Sequence, residues 1–287
     1  MNGIWLPIIT PFKNGKIDLI SYQNLIDYYI KQGVDGFIPL GTTGESPTLY
    51  DEEKKELLDA TLEYVNNRVP IFLGHGGNFT DKIVKELKNV EYSGIKGILS
   101  VCPYYNRPSQ IGIYEHFKAI ANSTDLDIML YNIPYRTGRN IENDTLRKLA
   151  EIPNIIGVKD ACGDFNQSTD LLLNRPDNFS IMSGEDFTLF SSLALGADGG
   201  IVATAHLKTY GFIELIHAFK HNDLLTAKKI WNKLSPVIPY LFKEPNPAPI
   251  KYILSQQGQI STDEVRLPLV TCSDSLKQSL KDYSPFI

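Results

Sequence analysis

Asn154-Ile155-Ile156-Gly157-Val158-Lys159-Asp160 decides how the rest of this chain is read. Four of the five residues before the lysine are β-branched or glycine, the pattern of a buried strand, and a charged tip follows at once. An ammonium at the exit of a buried strand loses water, which favours the neutral amine and lowers a pKa that is otherwise about 10.4. A neutral amine near pH 7 is what imine formation with a carbonyl compound requires. The plain alternative is a strand-end lysine whose head reaches into solvent. Lys159 alone leaves both readings open.

Outward from this strand, short apolar runs alternate with longer amphipathic ones. The expected strands are Ile4–Ile9, Gly36–Pro39, Pro70–Leu73, Gly97–Val101, Asp127–Tyr131, Ile155–Lys159, Phe179–Ser183 and Gly199–Ala203. The expected helices between them are Leu19–Gln32, Asp51–Asn67, Thr80–Ser93, Ser109–Asn122, Glu142–Ala150, Asn166–Asn174, Phe187–Leu195 and Thr209–Lys220. Leu57, Leu58, Thr61, Leu62 and Val65 follow helical spacing, with Asp51, Glu52 and Glu53 at the end where the helix dipole favours acids. Such alternation predicts an α/β fold, a closed (β/α)₈ TIM barrel. An open doubly wound sheet competes, but no Gly-x-Gly-x-x-Gly follows the first strand. Beyond Lys220 the strands stop, and Asp223–Leu241, Ala248–Gln257 and Ser273–Asp282 read as helices. The expected division is a catalytic barrel over 1–220 and a helical C-terminal region over 221–287.

Composition narrows the function classes. The chain has 287 residues, 43% hydrophobic and 21% charged, enough to bury a large core. A net charge of −5, with no basic cluster, argues against nucleic acid as a partner. Met1-Asn2-Gly3-Ile4-Trp5-Leu6-Pro7 has no basic stretch followed by an apolar one, so no signal peptide is expected. No apolar run approaches the ~18 residues of a membrane helix. Cys102, Cys162 and Cys272 form no Cys-x-x-Cys pair and suggest reduced thiols, hence a cytoplasmic protein. His217 and His221 have the i, i+4 spacing of metal ligands, but without a third ligand they read as a solvated helix face.

A barrel carries its chemistry on the loops that leave its strands. After the second strand, Gly41-Thr42-Thr43-Gly44-Glu45-Ser46 offers two glycines for a tight turn and two hydroxyls that could face an anion, or else a plain helix-capping loop. After the fourth, Cys102-Pro103-Tyr104-Tyr105-Asn106-Arg107-Pro108 is stiffened by prolines and carries adjacent tyrosines. After the fifth comes Tyr131-Asn132-Ile133-Pro134-Tyr135-Arg136-Thr137-Gly138. Tyr131 and Lys159 fall at matching ends of neighbouring strands, where a phenol could carry protons. Arg136 supplies a planar fork for a carboxylate.

These four stretches together resemble the dihydrodipicolinate synthase family, within the superfamily of pyruvate-dependent class I aldolases that includes N-acetylneuraminate lyase. The resemblance runs from Pro7-Ile8-Ile9-Thr10-Pro11-Phe12 to Arg266-Leu267-Pro268-Leu269. It implies that Lys159 forms an imine with pyruvate and that Thr42 and Thr43 hold the pyruvate carboxylate. It implies a proton relay of Tyr131, Thr43 and Tyr105, the last reaching in from a neighbouring subunit of a homotetramer built from two tight dimers. Arg136 then binds L-aspartate 4-semialdehyde, with Gly184 and Ile201 lining the pocket. No metal or organic cofactor is implied. A lyase acting on a sialic acid or deoxy sugar acid is the alternative, disfavoured because a polyol needs hydroxyl contacts rather than a carboxylate fork. In lysine-inhibited members the effector site matches Pro47, Asp51, Lys54, Asn78, Lys82 and Tyr104, and Lys54 and Lys82 stand where those members have a histidine and a glutamate. Weak or absent inhibition by lysine is therefore expected. His75 and His206 also depart from the usual small or polar residues and are expected near the barrel mouth.

Overall fold

The computed structural model describes residues 1–89 and 93–282. The eight strands are β1 (Gly3–Leu6), β2 (Gly36–Phe37), β3 (Phe72–Gly74), β4 (Gly97–Val101), β5 (Asp127–Asn132), β6 (Ile155–Asp160), β7 (Ser180–Ser183) and β8 (Gly199–Ile201). The helices that follow them are α1 (Leu19–Gln32), α2 (Asp51–Val65), α3 (Thr80–Asn89), α4 (Gln110–Ala121), α5 (Asn143–Leu149), α6 (Phe165–Leu173), α7 (Leu189–Ala194) and α8 (Thr209–Lys220). Among the described residues after Lys220 the elements are helices alone, chiefly Leu224–Leu234, Ala248–Gln256 and Asp274–Asp282. The fold class is the expected α/β (β/α)₈ barrel with a C-terminal helical appendix. The last residues expected in the third helix, 90–92, lie outside those described.

The chain packs as two compact units, Met1–Asn2 with Ile71–Ile201, and Gly3–Pro70 with Val202–Ile287. In the first, β3 to β7 pair in sequence order and in parallel, and β8 pairs in parallel with β7. Their residues are almost continuously buried, as strands covered on both faces must be. Gly157 has a packing reason: a Cβ there would meet the Ser180 carbonyl oxygen at 2.3 Å, so only glycine lets β6 and β7 approach. The Tyr131↔Lys159 pair lies in direct register on β5 and β6.

In the second unit β1 and β2 are parallel, with Trp5 opposite Gly36 and Leu6 opposite Phe37. Helix α1 is capped by Asp18, which accepts from Ser21 N–H, and ends on Gly33 in the left-handed region. Helix α2 starts with Glu53 accepting from Tyr50 N–H at 3.0 Å. A small hairpin, Phe12–Lys13 with Lys16–Ile17, turns through Asn14 and Gly15, both at positive φ. Asn-Gly is the pair such a turn demands, and it was a legible signal beyond the eight strands expected.

Expected and observed bounds agree within a few residues, with one instructive difference. The first strand was expected to run to Ile9 but ends at Leu6, because Pro7 lacks the N–H a strand needs.

Candidate active site

Lys159 is 6% exposed, at the penultimate position of β6. Its Nζ lies 4.1 Å from the centroid of the Tyr131 ring, and Tyr131 is equally buried. Burial pushes the Lys159 ammonium down to about 8 from its usual 10.5. The carboxylates of Asp186 and Glu185 oppose that shift, and the Arg136 guanidinium adds to it. Glu185 is itself held above the usual carboxylate range, first by burial and then by the charge of Asp186. The amine is therefore lowered to about 8, with burial favouring the neutral form and the two carboxylates favouring the cation. Neither acid was singled out in the sequence, since Gly184-Glu185-Asp186 reads as an ordinary polar loop.

Gly184 follows β7 and leaves room for the lysine stem. A Cβ at this position would stand 2.9 Å from Lys159 Cγ and 3.0 Å from its Cε. Ile201 ends β8 and is buried. Arg136 is exposed on the one-turn helix Pro134–Thr137, with its guanidinium 5.0 Å from the Tyr135 ring centroid. That turn is fixed from beneath: Asn132 Oδ1 accepts from Ile141 N–H at 3.0 Å, and Asn132 Nδ2 donates to Asn140 Oδ1 at 2.9 Å. Arg107 Nε donates to the Gly138 carbonyl at 3.0 Å, which ties the double-tyrosine loop to the Arg136 loop. Tyr105 on that loop is 91% exposed and sits at φ 70°, a left-handed conformation costly for an aromatic residue. Its ring is displayed outward rather than packed within the chain.

Cys102 is fully buried and its thiol is pushed up to about 12, so it packs rather than reacts. Cys162, raised to about 11 mainly by burial, shares a polar cluster with Ser168 and Asp160.

In the second unit, Thr43 is 5% exposed and Thr42 is half-buried. Leu40 and Glu45, both at left-handed φ, bracket the Gly41–Gly44 turn. Each such residue costs on the order of 1 kcal/mol, so the turn must be held from outside. Thr10 Oγ1 donates to the Gly44 carbonyl at 2.7 Å. Glu45 is 1% exposed and forms a fully buried ion pair with Lys251, whose Nζ also donates to the Glu264 carbonyl at 2.9 Å. Glu45 Oε2 accepts from Arg266 N–H at 3.2 Å, and the Arg266 guanidinium bridges both carboxylate oxygens of Glu53 at 2.6 Å. Asn246 Nδ2 donates to Thr43 Oγ1 at 2.9 Å. The C-terminal appendix thus clamps the threonine turn. Sequence spacing could not reveal this, because the partners lie some two hundred residues apart.

His206 follows β8 in the turn Ala203–His206. It is 1% exposed, with Nε2 accepting from Ile9 N–H at 3.2 Å and Nδ1 donating to the Ala203 carbonyl at 2.7 Å. Burial pushes its pKa down to about 4, so the ring is a neutral brace. His221 Nδ1 hydrogen-bonds the His217 carbonyl at 2.8 Å and serves its helix end.

Comparison with known proteins gives this geometry its context. The model of the dihydrodipicolinate synthetase family matches residues 1–284. The chain belongs to that family. A protein of Clostridium acetobutylicum named 4-hydroxy-tetrahydrodipicolinate synthase 2 is 58% identical over 283 residues, 99% of each chain. A 4-hydroxy-tetrahydrodipicolinate synthase of Thermodesulfovibrio yellowstonii is 41% identical over 98% of this chain and 96% of its own. Among solved structures, one described as the first monomeric dihydrodipicolinate synthase variant superposes with a TM-score of 0.96 at 38% identity, covering 100% of this chain and 96% of that one. The enzyme of Methylacidiphilum fumariolicum SolV gives 0.95 at 39% identity, with 100% and 95% covered. The family resemblance carried by the Thr-Thr, Tyr-Tyr, Arg136 and Lys159 stretches is therefore correct over the whole chain. Among the described residues no helix is long and apolar enough to cross a membrane.

Proposed function

We propose that this chain is a 4-hydroxy-tetrahydrodipicolinate synthase, condensing pyruvate with L-aspartate 4-semialdehyde on the route to diaminopimelate and lysine. The observation that carries the reading is the buried Lys159 amine, held to a pKa of about 8 against the Tyr131 ring, in a chain 58% identical to a relative of that name.

The neutral Lys159 amine attacks the C2 carbonyl of pyruvate, and loss of water gives an imine. Thr42 and Thr43 hold the pyruvate carboxylate. The cationic imine draws electrons from the methyl group, which gives up a proton to the Tyr131–Thr43–Tyr105 relay and becomes an enamine. The enamine carbon attacks the aldehyde of the second substrate, whose carboxylate is held by Arg136, and the relay returns a proton to the new hydroxyl. The substrate's own amine then displaces Lys159, closing the six-membered ring and freeing the lysine. Gly184 and Ile201 line the pocket. The covalent intermediate replaces one difficult step by several easier ones, and no metal or organic cofactor takes part.

Tyr105 serves the site of a neighbouring subunit in a homotetramer, a reading supported by its outward ring and left-handed backbone. The enzyme is cytoplasmic, and the barrel over 1–220 is the catalytic part. The reading is tested by offering pyruvate with aspartate semialdehyde, N-acetylmannosamine or a sugar-acid aldehyde in turn. Turnover only with the first supports it, and preferential turnover of a polyol aldehyde replaces it with the lyase reading.

A further inference from the structure

Arg136 rides on Pro134–Thr137, a helix of four residues that is too short to hold itself in water. Its own bonds are few: Gly138 N–H donates to the Pro134 carbonyl at 2.7 Å, and Thr137 Oγ1 donates to the Ile133 carbonyl at 3.1 Å. The guanidinium is only as well placed as this turn, so the anchor of the residues that follow decides its position.

That anchor is a ring of neutral amides. Asn132, buried at the end of β5, donates from Nδ2 to Asn140 Oδ1 at 2.9 Å and to the Ile141 carbonyl at 3.2 Å. Gln167 closes the ring from α6. Its Nε2 donates to the Ile141 carbonyl at 3.0 Å and to Asn140 Oδ1 at 3.3 Å, and its Oε1 accepts from Asn140 Nδ2 at 2.6 Å. A side-chain amide has two protons and one oxygen to place, and Gln167 places all of them on Asn140 and Ile141.

The helix that carries Gln167 is tied in turn to the lysine strand. Its next residue, Ser168, donates from Oγ to Asp160 Oδ2 at 2.5 Å, and Asp160 directly follows Lys159 on β6. Asp164 caps the same helix by accepting from the Asn166 and Gln167 N–H groups at 2.9 and 3.2 Å. One turn of α6 therefore holds the end of β6 with Ser168 and the Arg136 loop with Gln167. We infer that Gln167 is a positioning residue for the second substrate: it locks the Arg136 loop to the lysine strand and so sets where the acceptor's carboxylate lies relative to the enamine carbon. This rests on the reading above, in which Arg136 holds that carboxylate. A misplacement of about 1 Å between reacting groups costs roughly a hundredfold in rate, so a slack loop should be felt in the second half of the reaction and not in the first.

The test separates those halves in the full chain as wild type, Gln167→Leu, Gln167→Glu, Arg136→Ala and the Arg136→Ala/Gln167→Leu double variant. Borohydride trapping and the KM for pyruvate report the first half, and KM and kcat/KM for aspartate semialdehyde report the second. Leucine removes all three bonds of the amide, whereas glutamate keeps the acceptor and loses both donors. Both Gln167 variants are expected to lower kcat/KM for the semialdehyde at least about tenfold, chiefly through KM, while pyruvate trapping stays close to wild type. The double variant is expected to be no worse than Arg136→Ala alone, because Gln167 acts through that side chain. A merely structural role would weaken both halves together. An equal loss in pyruvate trapping therefore overturns the inference, as does wild-type kcat/KM in either Gln167 variant or a full additional loss in the Arg136→Ala background. If Gln167→Leu does not fold, Gln167→Met, which keeps the length without the amide, is read in the same way. A wild-type enzyme that traps no pyruvate or leaves the semialdehyde unused brings down the proposed function and this inference together. A competent wild type with insensitive Gln167 variants brings down the inference alone.

Discussion

Lys159 Nζ sits 4.1 Å above the ring of Tyr131, its direct register partner on the adjacent parallel strand. The ring face favours a cation, while burial lowers the amine to about 8 from its usual 10.5. The nitrogen is left able to be a base before it meets pyruvate and a cation once the imine has formed.

This balance predicts the pH dependence of imine formation. Lysine is reactive when deprotonated, and its pKa here is lowered to about 8. The rate of pyruvate capture should therefore climb as pH rises through about 8 and level off above it. An ordinary surface lysine would still be climbing near pH 10. Initial rates of borohydride trapping across pH 6 to about 10 measure this, bounded by the usual lysine value of about 10.4.

Asp186 and Glu185 hold that pKa up from below. Asp186→Asn removes the larger of the two opposing charges, so the amine should become neutral at lower pH and the trapping profile should move to the acid side. A profile that stays in place, or moves towards alkali, would show that Asp186 does not face the amine.

Gly184→Ala places a methyl group 2.9 Å from Lys159 Cγ, 3.0 Å from its Cε and 3.1 Å from Ala161 Cβ. The lysine stem must shift, and a misplacement of about 1 Å can cost roughly a hundredfold in rate. Turnover should fall by at least about tenfold, while the circular dichroism spectrum stays that of the wild type.

The Glu45–Lys251 pair is fully buried, beneath the threonine turn. Lys251→Met leaves Glu45 with the Arg266 N–H but without its counter-charge, and breaking such a pair costs roughly 3–5 kcal/mol. Chemical denaturation should show that loss, with most of it recovered in Glu45→Gln/Lys251→Met. A single variant as stable as wild type would show that the pair contributes little.

Lys54 and Lys82 place two ammonium groups where the family resemblance puts a histidine and a glutamate. Each has an acidic neighbour, Asp51 at 3.0 Å and Glu86 at 3.7 Å. Lys82 remains 65% exposed, and a cationic amino acid should bind poorly beside it. Synthase assays with added lysine should show little inhibition, and half-inhibition at sub-millimolar lysine would contradict this.

The strand and helix alternation was legible because both faces of β4, β5 and β6 are buried, which leaves apolar runs that stand out between polar helices. The Lys159–Tyr131 pairing was legible for the same reason: parallel strands in sequence order bring matching ends together. What escaped was the support of the site. Asn246, Lys251 and Arg266 act on Thr43, Glu45 and Glu53 from the far end of the sequence, and no local pattern joins them. The bracing role of His206 escaped for the same reason: its two nitrogens are used by the Ile9 N–H, far off in sequence, and the Ala203 carbonyl.

The central claim, that one desolvated amine captures a 2-oxo acid, is tested most directly by reducing the protein with borohydride in the presence of pyruvate and mapping the modified peptide. One reduced pyruvate on Lys159, lost in Lys159→Ala, is the result expected. An unmodified chain, or an adduct carried by a different lysine, would contradict the account.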